Sequence, residues 1–195
     1  MPAFDALELC TSRLRLRPLC DEDAGALLAI FSDPRVMRHW STPPWTDIDR
    51  ARAVIALDRE ALASGRHLRL GLERSADGAL IGTCMLFNFY PPCRRAELGF
   101  GLRADAWGSG YMHEALLALL DHAFGVLDLN RIEADTDPNN SGALATLERL
   151  GFEREGLLRE RWIVGGKVSD SAFFGLLRSR WRASRAEGED APRAC

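Results

Sequence analysis

The chain has 195 residues, of which 47% are hydrophobic and 27% charged, and its formal net charge at pH 7 is −3. This length favours one domain with a substantial core, and the slight negative charge argues against nucleic acid as the main partner. No apolar run approaches the ~20 residues of a membrane span, and the N-terminus lacks the basic and apolar segments of a signal peptide, so we expect a cytoplasmic protein without membrane attachment. The five cysteines form no CxxC pair, which gives no sign of a zinc site or a disulfide framework.

The first part of the chain predicts one strand followed by two helices. In "SRLRLRPL", leucine alternates with arginine at the period of a half-buried strand. "CDEDAGALLAIF" begins with acidic residues, which favour a helix N-terminus, and Pro34 predicts the end of that helix. After a loop "RHWSTPPW" with two tryptophans, the segment "TDIDRARAVIALDREALASG" is amphipathic and predicts a second helix that ends at Gly65.

The remainder predicts strands with two interposed helices. "HLRLGLE", "ALIGTCMLFNFY" and "AELGFGL" are expected to be consecutive strands, and a helix follows over residues 112–127. "RIEADTD" predicts a strand and "PNNSGALATLERLG" a short helix. "FEREGLLRERWIV" and "SDSAFFGLL", joined by the turn "GGK", predict a closing hairpin.

The order of these elements predicts an α+β fold with a mixed, mostly antiparallel central sheet flanked by helices. The strand–helix–strand unit made by "AELGFGL", the next helix and "RIEADTD" predicts a parallel pair with a ligand site at its C-terminal ends. We expect a single domain over residues 1–182 and a polar, disordered tail over 183–195.

A glycine-containing segment, "ADAWGSGYMHEALLALL", lies at the mouth of the helix in this unit. Glycines allow a close approach to backbone amides, and the first turn of a helix favours an anion such as a phosphate. A nucleotide P-loop is excluded because the one lysine, Lys167, lies elsewhere, and the dinucleotide fingerprint fails because His113 replaces its third glycine. A phosphate held by backbone amides and a simple tight turn remain.

The flanking residues extend the pattern. "LRADAWGSGYMHEAL" resembles the acetyl-coenzyme A loop of the Gcn5-related N-acetyltransferase (GNAT) superfamily, in the form found in its ribosomal-protein N-terminal acetyltransferase branch. "SRLRLRPLCDEDAGAL" and "NRIEADTDPNNSGALATLERLGFEREGLLRE" resemble the opening and closing segments of that branch. The resemblance implies a splayed central parallel strand pair and an acetyl-coenzyme A-dependent N-acetyltransferase that uses no metal.

The resemblance also implies which residues bind the coenzyme. The pyrophosphate would be held by the loop, and Phe100 and Leu102 match the strand that pairs with the pantetheine arm, where the amide of Phe100 would polarise the thioester oxygen. Asn140 matches an asparagine that binds the coenzyme, although "PNNSG" also fits a helix cap. The implied loop residues are Trp107, Gly108, Ser109, Gly110, Tyr111 and Met112.

Glu97 is the candidate general base for the acceptor amine. Alternation places Glu97, Gly99 and Gly101 on one face of their strand, unless a bulge in that strand changes the parity, and the glycines leave room beside the carboxylate. The competing interpretation is a glutamate that is solvated or paired with Arg94 or Arg95.

No side chain is evident as the general acid. The positions at which the family carries a tyrosine or a serine are Leu147 and Ala143 here, and another position at which some members place a base is Trp162. Ser141 is nearby but is better explained as a capping residue. Water, or direct stabilisation of the thiolate at the helix N-terminus, is the remaining expectation.

The acceptor site is predicted around the loop "MRHWSTPPW", with Trp40, Trp45 and Tyr90 as its candidate residues. Met37, Phe87 and Phe89 could complete an apolar pocket, whereas His39 and His113 are interpreted as structural. We expect acetylation of an α-amine at a protein or peptide N-terminus. The alternatives are a small-molecule amine and a coenzyme-binding module without catalysis. A homodimer is compatible with the sequence, which carries no direct sign of it.

Overall fold

The computed structural model describes residues 4–189 and contains an eight-stranded sheet with the strand order β1-β2-β3-β4-β5-β6-β8-β7. The strands are β1 (Leu9–Cys10), β2 (Leu14–Arg17), β3 (Leu68–Arg74), β4 (Leu80–Tyr90), β5 (Arg95–Leu102), β6 (Arg131–Thr136), β7 (Glu153–Val164) and β8 (Lys167–Leu177). The helices are α1 (Ala24–Ser32), α2 (Pro34–Met37), α3 (Ile48–Ser64), α4 (Tyr111–Gly125), α5 (Ser141–Arg149) and α6 (Arg178–Glu189). No helix within the described range is long and apolar enough to cross a bilayer.

Local sequence signals account for most helix ends. The Asp47 carboxylate accepts a hydrogen bond from the backbone N–H of Asp49 at the start of α3, and Gly65 ends this helix in the left-handed conformation with φ +67°. Asp33 caps the one-turn helix α2, and Pro34 occupies its first position. The helices α2 and α6 and the strand β1 are not predicted from the sequence. With four and two residues, α2 and β1 are too short to give a periodic pattern, and most of α6 lies in the polar segment for which disorder was predicted.

The predicted parallel pair is present and splayed. All neighbouring strands run antiparallel except β5 and β6, whose parallel ladder joins Arg95–Glu97 to Arg131–Glu133. Beyond Glu97, β5 stays paired with β4 as far as Leu102 but no longer pairs with β6. The predicted α+β fold with a mostly antiparallel sheet and a splayed central pair is therefore confirmed.

The irregularity beside the splayed pair lies in β4 and not in β5. Between the pairs Phe87–Glu97 and Tyr90–Arg95, β4 has one residue more than β5, and Asn88 adopts φ +50°. Asparagine tolerates this conformation better than most residues, which explains a bulge at this point. The alternation of β5 is thus preserved.

The final helix docks onto the domain. Trp181 in α6 is 4% exposed, lies 6.1 Å from the ring of Phe124 in α4, and its indole N–H donates to Asp121. This anchor explains why a polar segment is helical. The helix continues past residue 183, where the sequence analysis places the start of a disordered tail, and residues 190–195 of that tail lie outside the described residues.

Candidate active site

The Gly-Ser-Gly segment forms a left-handed turn at the N-terminus of α4. Gly108 has φ +74° and Gly110 has φ +79°, and Gly110 is the N-cap of the helix. Side chains strongly disfavour such angles, so glycine is required at both positions. The first-turn amides of α4 are therefore presented beside a stretch of exposed backbone, an arrangement that suits an anion.

A cavity of about 820 Å³ runs beside this turn, between the C-terminal end of β5 and the start of α5. Ser109 does not line the cavity; its carbonyl instead accepts a hydrogen bond from Arg13. Trp107 is held at the rim by a 2.8 Å hydrogen bond from its indole N–H to the carbonyl of Leu102. The cavity brings together the other predicted coenzyme residues: Phe100, Leu102, Trp107, Gly108, Gly110, Tyr111, Met112 and Asn140.

A partly buried carboxylate, that of Glu114, anchors this turn to the N-terminal strand. Glu114 accepts hydrogen bonds from the hydroxyls of Thr11 and Ser12 and from the backbone N–H and Nε of Arg13, at 2.6 to 3.0 Å. Arg13 also lies over the ring of Tyr111, 4.6 Å from its centroid. Burial alone would raise the pKa of Glu114, but these donors outweigh it and lower the pKa to about 2. The sequence motif contains Glu114 without revealing these partners.

A second cavity, of about 650 Å³, continues from the first on the other side of the splayed strands. We call the stretch common to both cavities the neck. It lies where β5 and β6 have separated, so a molecule in one cavity can meet a molecule in the other there. The neck is lined by Pro34, Arg38, His39, Trp40, Phe100, Asn140 and Ala143.

Glu97 lines the second cavity, on the face of β5 that alternation predicts. Its carboxylate accepts a 3.1 Å hydrogen bond from Nδ2 of Asn88 in the β4 bulge. The predicted alternative partners are engaged elsewhere, Arg94 with Asp128 and Arg95 with Glu133. The described residues therefore leave the Glu97 carboxylate without an ion pair and with access to the cavity.

Of the three aromatic residues predicted to bind the acceptor, only Trp40 lines a cavity. Trp40 lines the neck and packs edge-on against Phe31 at 5.0 Å. Trp45 is 8% exposed, stacks on Phe31 at 4.8 Å and lines neither cavity, because its ring completes the core between α1 and α3. Tyr90 is 49% exposed at the far end of β4, beyond both cavities. The predicted placement of Trp45 and Tyr90 in the pocket is corrected accordingly.

Of the three other apolar residues predicted for the acceptor pocket, two line a cavity and one packs against the core. Met37 and Phe87 line the second cavity as predicted. Phe89 follows the bulge, packs 6.0 Å from Phe4 and contributes to the core instead.

The position of Asn140 is compatible with both predicted roles, capping of α5 and contact with the coenzyme. Its Oδ1 accepts a 3.1 Å hydrogen bond from the backbone N–H of Ala143 and so caps α5. The residue also lines the neck, where its amide nitrogen remains available to a ligand.

The positions where the family resemblance expects an acid carry no titratable group. Ala143 lines the neck, and Leu147 lines the second cavity with 1% of its surface exposed. Trp162 lines the second cavity and donates from Nε1 to Asp135 at 3.2 Å, and the same carboxylate oxygen accepts from Ser171 at 2.7 Å. Within residues 4–189, no three His, Cys, Asp or Glu side chains are placed to hold a metal ion together.

One titratable pair, His39 in the neck and Asp137 in the second cavity, is not predicted from the sequence. Nδ1 of His39 lies 2.7 Å from a carboxylate oxygen of Asp137, and His39 lines both cavities. The two residues are 98 positions apart, so no local pattern links them. The only sequence signal is a histidine in a loop that joins two helices.

Comparison with known proteins places this site in a family. The model of the acetyltransferase (GNAT) domain matches residues 13–153. The chain is 35% identical to an uncharacterised N-acetyltransferase, p20, of Bacillus licheniformis over 173 residues, which cover 89% of this chain and 97% of that protein. It is 26% identical to the [ribosomal protein uS5]-alanine N-acetyltransferase of Escherichia coli over 186 residues, which cover 92% of this chain and 95% of that protein.

The fold agrees with solved structures. The structure of a candidate ribosomal-protein-serine acetyltransferase from Vibrio cholerae superposes with a TM-score of 0.79 at 26% identity, covering 91% of this chain and 99% of that one. The glycine turn, the splayed strands and the continuous pair of cavities therefore belong to an enzyme that transfers an acetyl group from acetyl-coenzyme A to an amine. The chain is a member of the GNAT family of acetyltransferases.

Proposed function

We propose that the acceptor is the α-amine at the N-terminus of a protein or peptide. The observation that carries this proposal is the second cavity, which reaches from the neck to a border of exposed residues in the 41–44 loop and the β7–β8 hairpin. A chain terminus can enter such a cavity while the rest of the polypeptide stays outside. The acceptor named for the Escherichia coli relative, an alanine of a ribosomal protein, supports this choice.

The first cavity fits the coenzyme. Side-chain-free positions at Gly108 and Gly110 leave the amides of the α4 N-terminus accessible to the pyrophosphate. Beyond Glu97, β5 is unpaired on the side of β6, so its backbone is available to the pantetheine arm and the Phe100 amide to the thioester oxygen. When bound, the coenzyme supplies the activated acetyl group, and the chain supplies alignment and proton transfer.

Glu97 is the proposed general base of the second cavity. An α-amine has a reference pKa near 8 and a lysine amine near 10.4, so an α-amine needs only modest assistance at pH 7. A partly exposed carboxylate that makes one hydrogen bond to an amide suits that task.

A small polyamine is less well matched to the cavity. Glu97 and three aspartates would attract any ammonium group, but three cationic side chains line the same cavity. The aspartates are Asp135, Asp137 and Asp170, and the cations are Arg38, Arg161 and Lys167. A polyamine would meet these cations with its second charge, whereas a peptide presents only one ammonium group and continues with neutral amides. The presence of both anionic and cationic side chains in the second cavity therefore favours a peptide terminus over a polyamine.

The experiment is a thiol-release assay with acetyl-coenzyme A and a matched acceptor panel. One tetrapeptide has a free α-amine and no lysine, a second has a blocked N-terminus and one lysine, and spermidine and free alanine complete the panel. We expect turnover of the first peptide, with the acetyl group located on its α-nitrogen by mass spectrometry. Turnover confined to the lysine peptide or to spermidine would overturn the proposal.

A further inference from the structure

The neck lacks an obvious proton donor for the departing sulfur. Neither Ala143, which lines the neck, nor Leu147, which lines the second cavity, carries a titratable side chain that could protonate a thiolate released in the neck. Departure of the sulfur is easier when a proton is delivered to it. The question is which described side chain can reach the neck with a transferable proton.

His39 has the position for this role. It follows the last turn of α2 and lines both cavities, whereas Glu97 lines only the second one. The side chains of His39 and Asp137 are 19% and 20% exposed, so the pair is largely shielded from water without being sealed from a ligand.

Asp137 is itself held in place. Its Oδ1 accepts hydrogen bonds from the backbone N–H and the side-chain amide of Asn139, at 2.8 and 2.9 Å, and its Oδ2 faces Nδ1 of His39. Burial opposes ionisation of this carboxyl group, but these donors and His39 outweigh it and lower its pKa. An ionised carboxylate on Nδ1 orients the imidazole and leaves Nε2 for a reacting atom.

We propose that His39 is the general acid that protonates the departing sulfur, and that Asp137 is the residue that positions it. This proposal rests on the acetyl transfer described above. It assigns the proton transfers to two places. Glu97 takes the first proton of the amine in the second cavity, and His39, in the neck, protonates the sulfur and then takes the second proton of the nitrogen.

The acceptor ammonium loses one proton to Glu97, and its nitrogen attacks the carbonyl carbon of the thioester. The carbon–sulfur bond breaks, the electron pair remains on sulfur, and the Nε2 proton of the imidazolium passes to that sulfur. The remaining extra proton on the attacking nitrogen passes to the neutral imidazole, Glu97 returns its proton to water, and one proton is released per amide formed.

The charges around His39 come from several elements. Asp137 contacts it directly, and the other charged or titratable groups that line the two cavities lie on α2, the loop after it, β5, α4, β6, α5 and the β7–β8 hairpin. These groups include both cations and anions. The variants below change only the imidazole of His39 or the carboxylate that contacts it, so the other charged groups stay in place. The other charged or titratable groups that line the two cavities are Arg35, Arg38, Glu97, Tyr111, His113, Asp135, Arg149, Arg161, Lys167 and Asp170.

The kinetic test compares His39→Asn and Asp137→Asn with the unaltered enzyme. Asparagine at position 39 retains a donor for Asp137 but has no group at the place of Nε2. We expect His39→Asn to lower kcat by about 10²-fold, a size typical of a lost general acid, and Asp137→Asn to lower it less. The pH profile of kcat is expected to differ between His39→Asn and the unaltered enzyme.

The matched control is His67→Gln. Nε2 of His67 also lies 2.7 Å from an aspartate, Asp58, but this pair lines neither cavity. Loss of that pair is expected to leave kcat and its pH profile unchanged.

A binding measurement tests the position of His39 without turnover. Coenzyme A is bound to each variant, and its thiol is titrated through the ultraviolet absorbance of the thiolate. A hydrogen-bond donor beside the sulfur favours the thiolate, so the bound thiol is expected to ionise at lower pH in the unaltered protein than in His39→Asn.

The outcomes separate this proposal from the function it rests on. Full kcat in His39→Asn together with an unchanged thiol titration would overturn the role of His39. A loss of kcat with an equal loss of coenzyme affinity and an unchanged thiol titration would also overturn the role of His39 as general acid. His39 would then only line the cavity that binds the coenzyme. Failure of the unaltered protein to acetylate any amine would refute the proposed function, while the thiol titration would still decide where His39 lies.

Discussion

Nε of Arg13 lies 2.6 Å from a carboxylate oxygen of Glu114, and Nη1 of the same guanidinium donates to the carbonyl of Ser109. One arginine thus joins the first turn of α4 to the middle of the glycine turn. Glu114 also accepts hydrogen bonds from Thr11 and Ser12. The segment of residues 11–13 therefore stabilises the glycine turn, although none of its residues lines the first cavity.

Glu114→Gln should weaken coenzyme binding and change the pH dependence of stability. Glutamine keeps the shape but loses the charge that holds Arg13, so calorimetry should show a higher Kd for acetyl-coenzyme A. The pKa of Glu114 is lowered to about 2 in the folded protein, so its stabilising contribution is complete above the unfolded pKa near 4.5 and is lost as the pH falls toward 2.

The stability difference between the two proteins should therefore narrow below pH ~4.5, as measured by urea unfolding. A constant difference across this range, with unchanged coenzyme affinity, would contradict the structural role assigned to Glu114.

Gly110→Val should raise the Kd of acetyl-coenzyme A by about tenfold or more, equivalent to at least ~1.4 kcal/mol. The valine would carry methyl groups into the space beside the α4 amides and would strain a residue at φ +79°. The control is Gly78→Val, which imposes similar strain at φ +69° in the turn before β4, away from both cavities. Equal affinities for the two variants would rule out the placement of the pyrophosphate at this turn.

Saturating acetyl-coenzyme A should raise the melting temperature, because the cavity exists only in the folded chain. At ~100 times the Kd, the added free energy of unfolding is about 2.7 kcal/mol. Differential scanning calorimetry over a concentration series should give a Tm that rises with the logarithm of the ligand concentration. A Tm that does not move would contradict coenzyme binding at this site.

Glu97→Gln should lower kcat at pH 7 by about 10²-fold or somewhat less, with nearly unchanged coenzyme affinity. Glutamine keeps the size of the side chain and a partner for Asn88 but cannot accept the proton of the amine. The loss should shrink at high pH, where the acceptor amine is already neutral. Full kcat at pH 7 would show that Glu97 is structural.

Trp40→Ala and Trp45→Ala should have different effects, although both residues belong to one loop. Trp45 is buried against Phe31, so its truncation should lower the free energy of unfolding by about 3–5 kcal/mol with little change in the acceptor KM. Trp40 lines the neck, so its truncation should raise the acceptor KM. A KM effect of equal size in Trp45→Ala would be evidence against the neck as the acceptor route.

Local patterns were sufficient to predict the parts of the site that depend on neighbouring residues. The glycine turn at α4, the alternation that exposes Glu97 to the second cavity and the succession of most strands along the chain follow from residues within a few positions of one another. Turn geometry and strand alternation are short-range properties of the backbone, so one sequence suffices to predict them.

The side-chain pairs of the site depended on the tertiary structure. His39 and Asp137 are 98 positions apart, and Arg13 and Glu114 are 101 apart. Trp40 and Trp45 lie in the same loop, and the residues around them do not indicate that Trp40 lines the neck whereas Trp45 packs in the core. Such contacts form when packing of the sheet and helices brings distant segments together, and their geometry is decided by the shape of the whole core rather than by the preferences of any one segment.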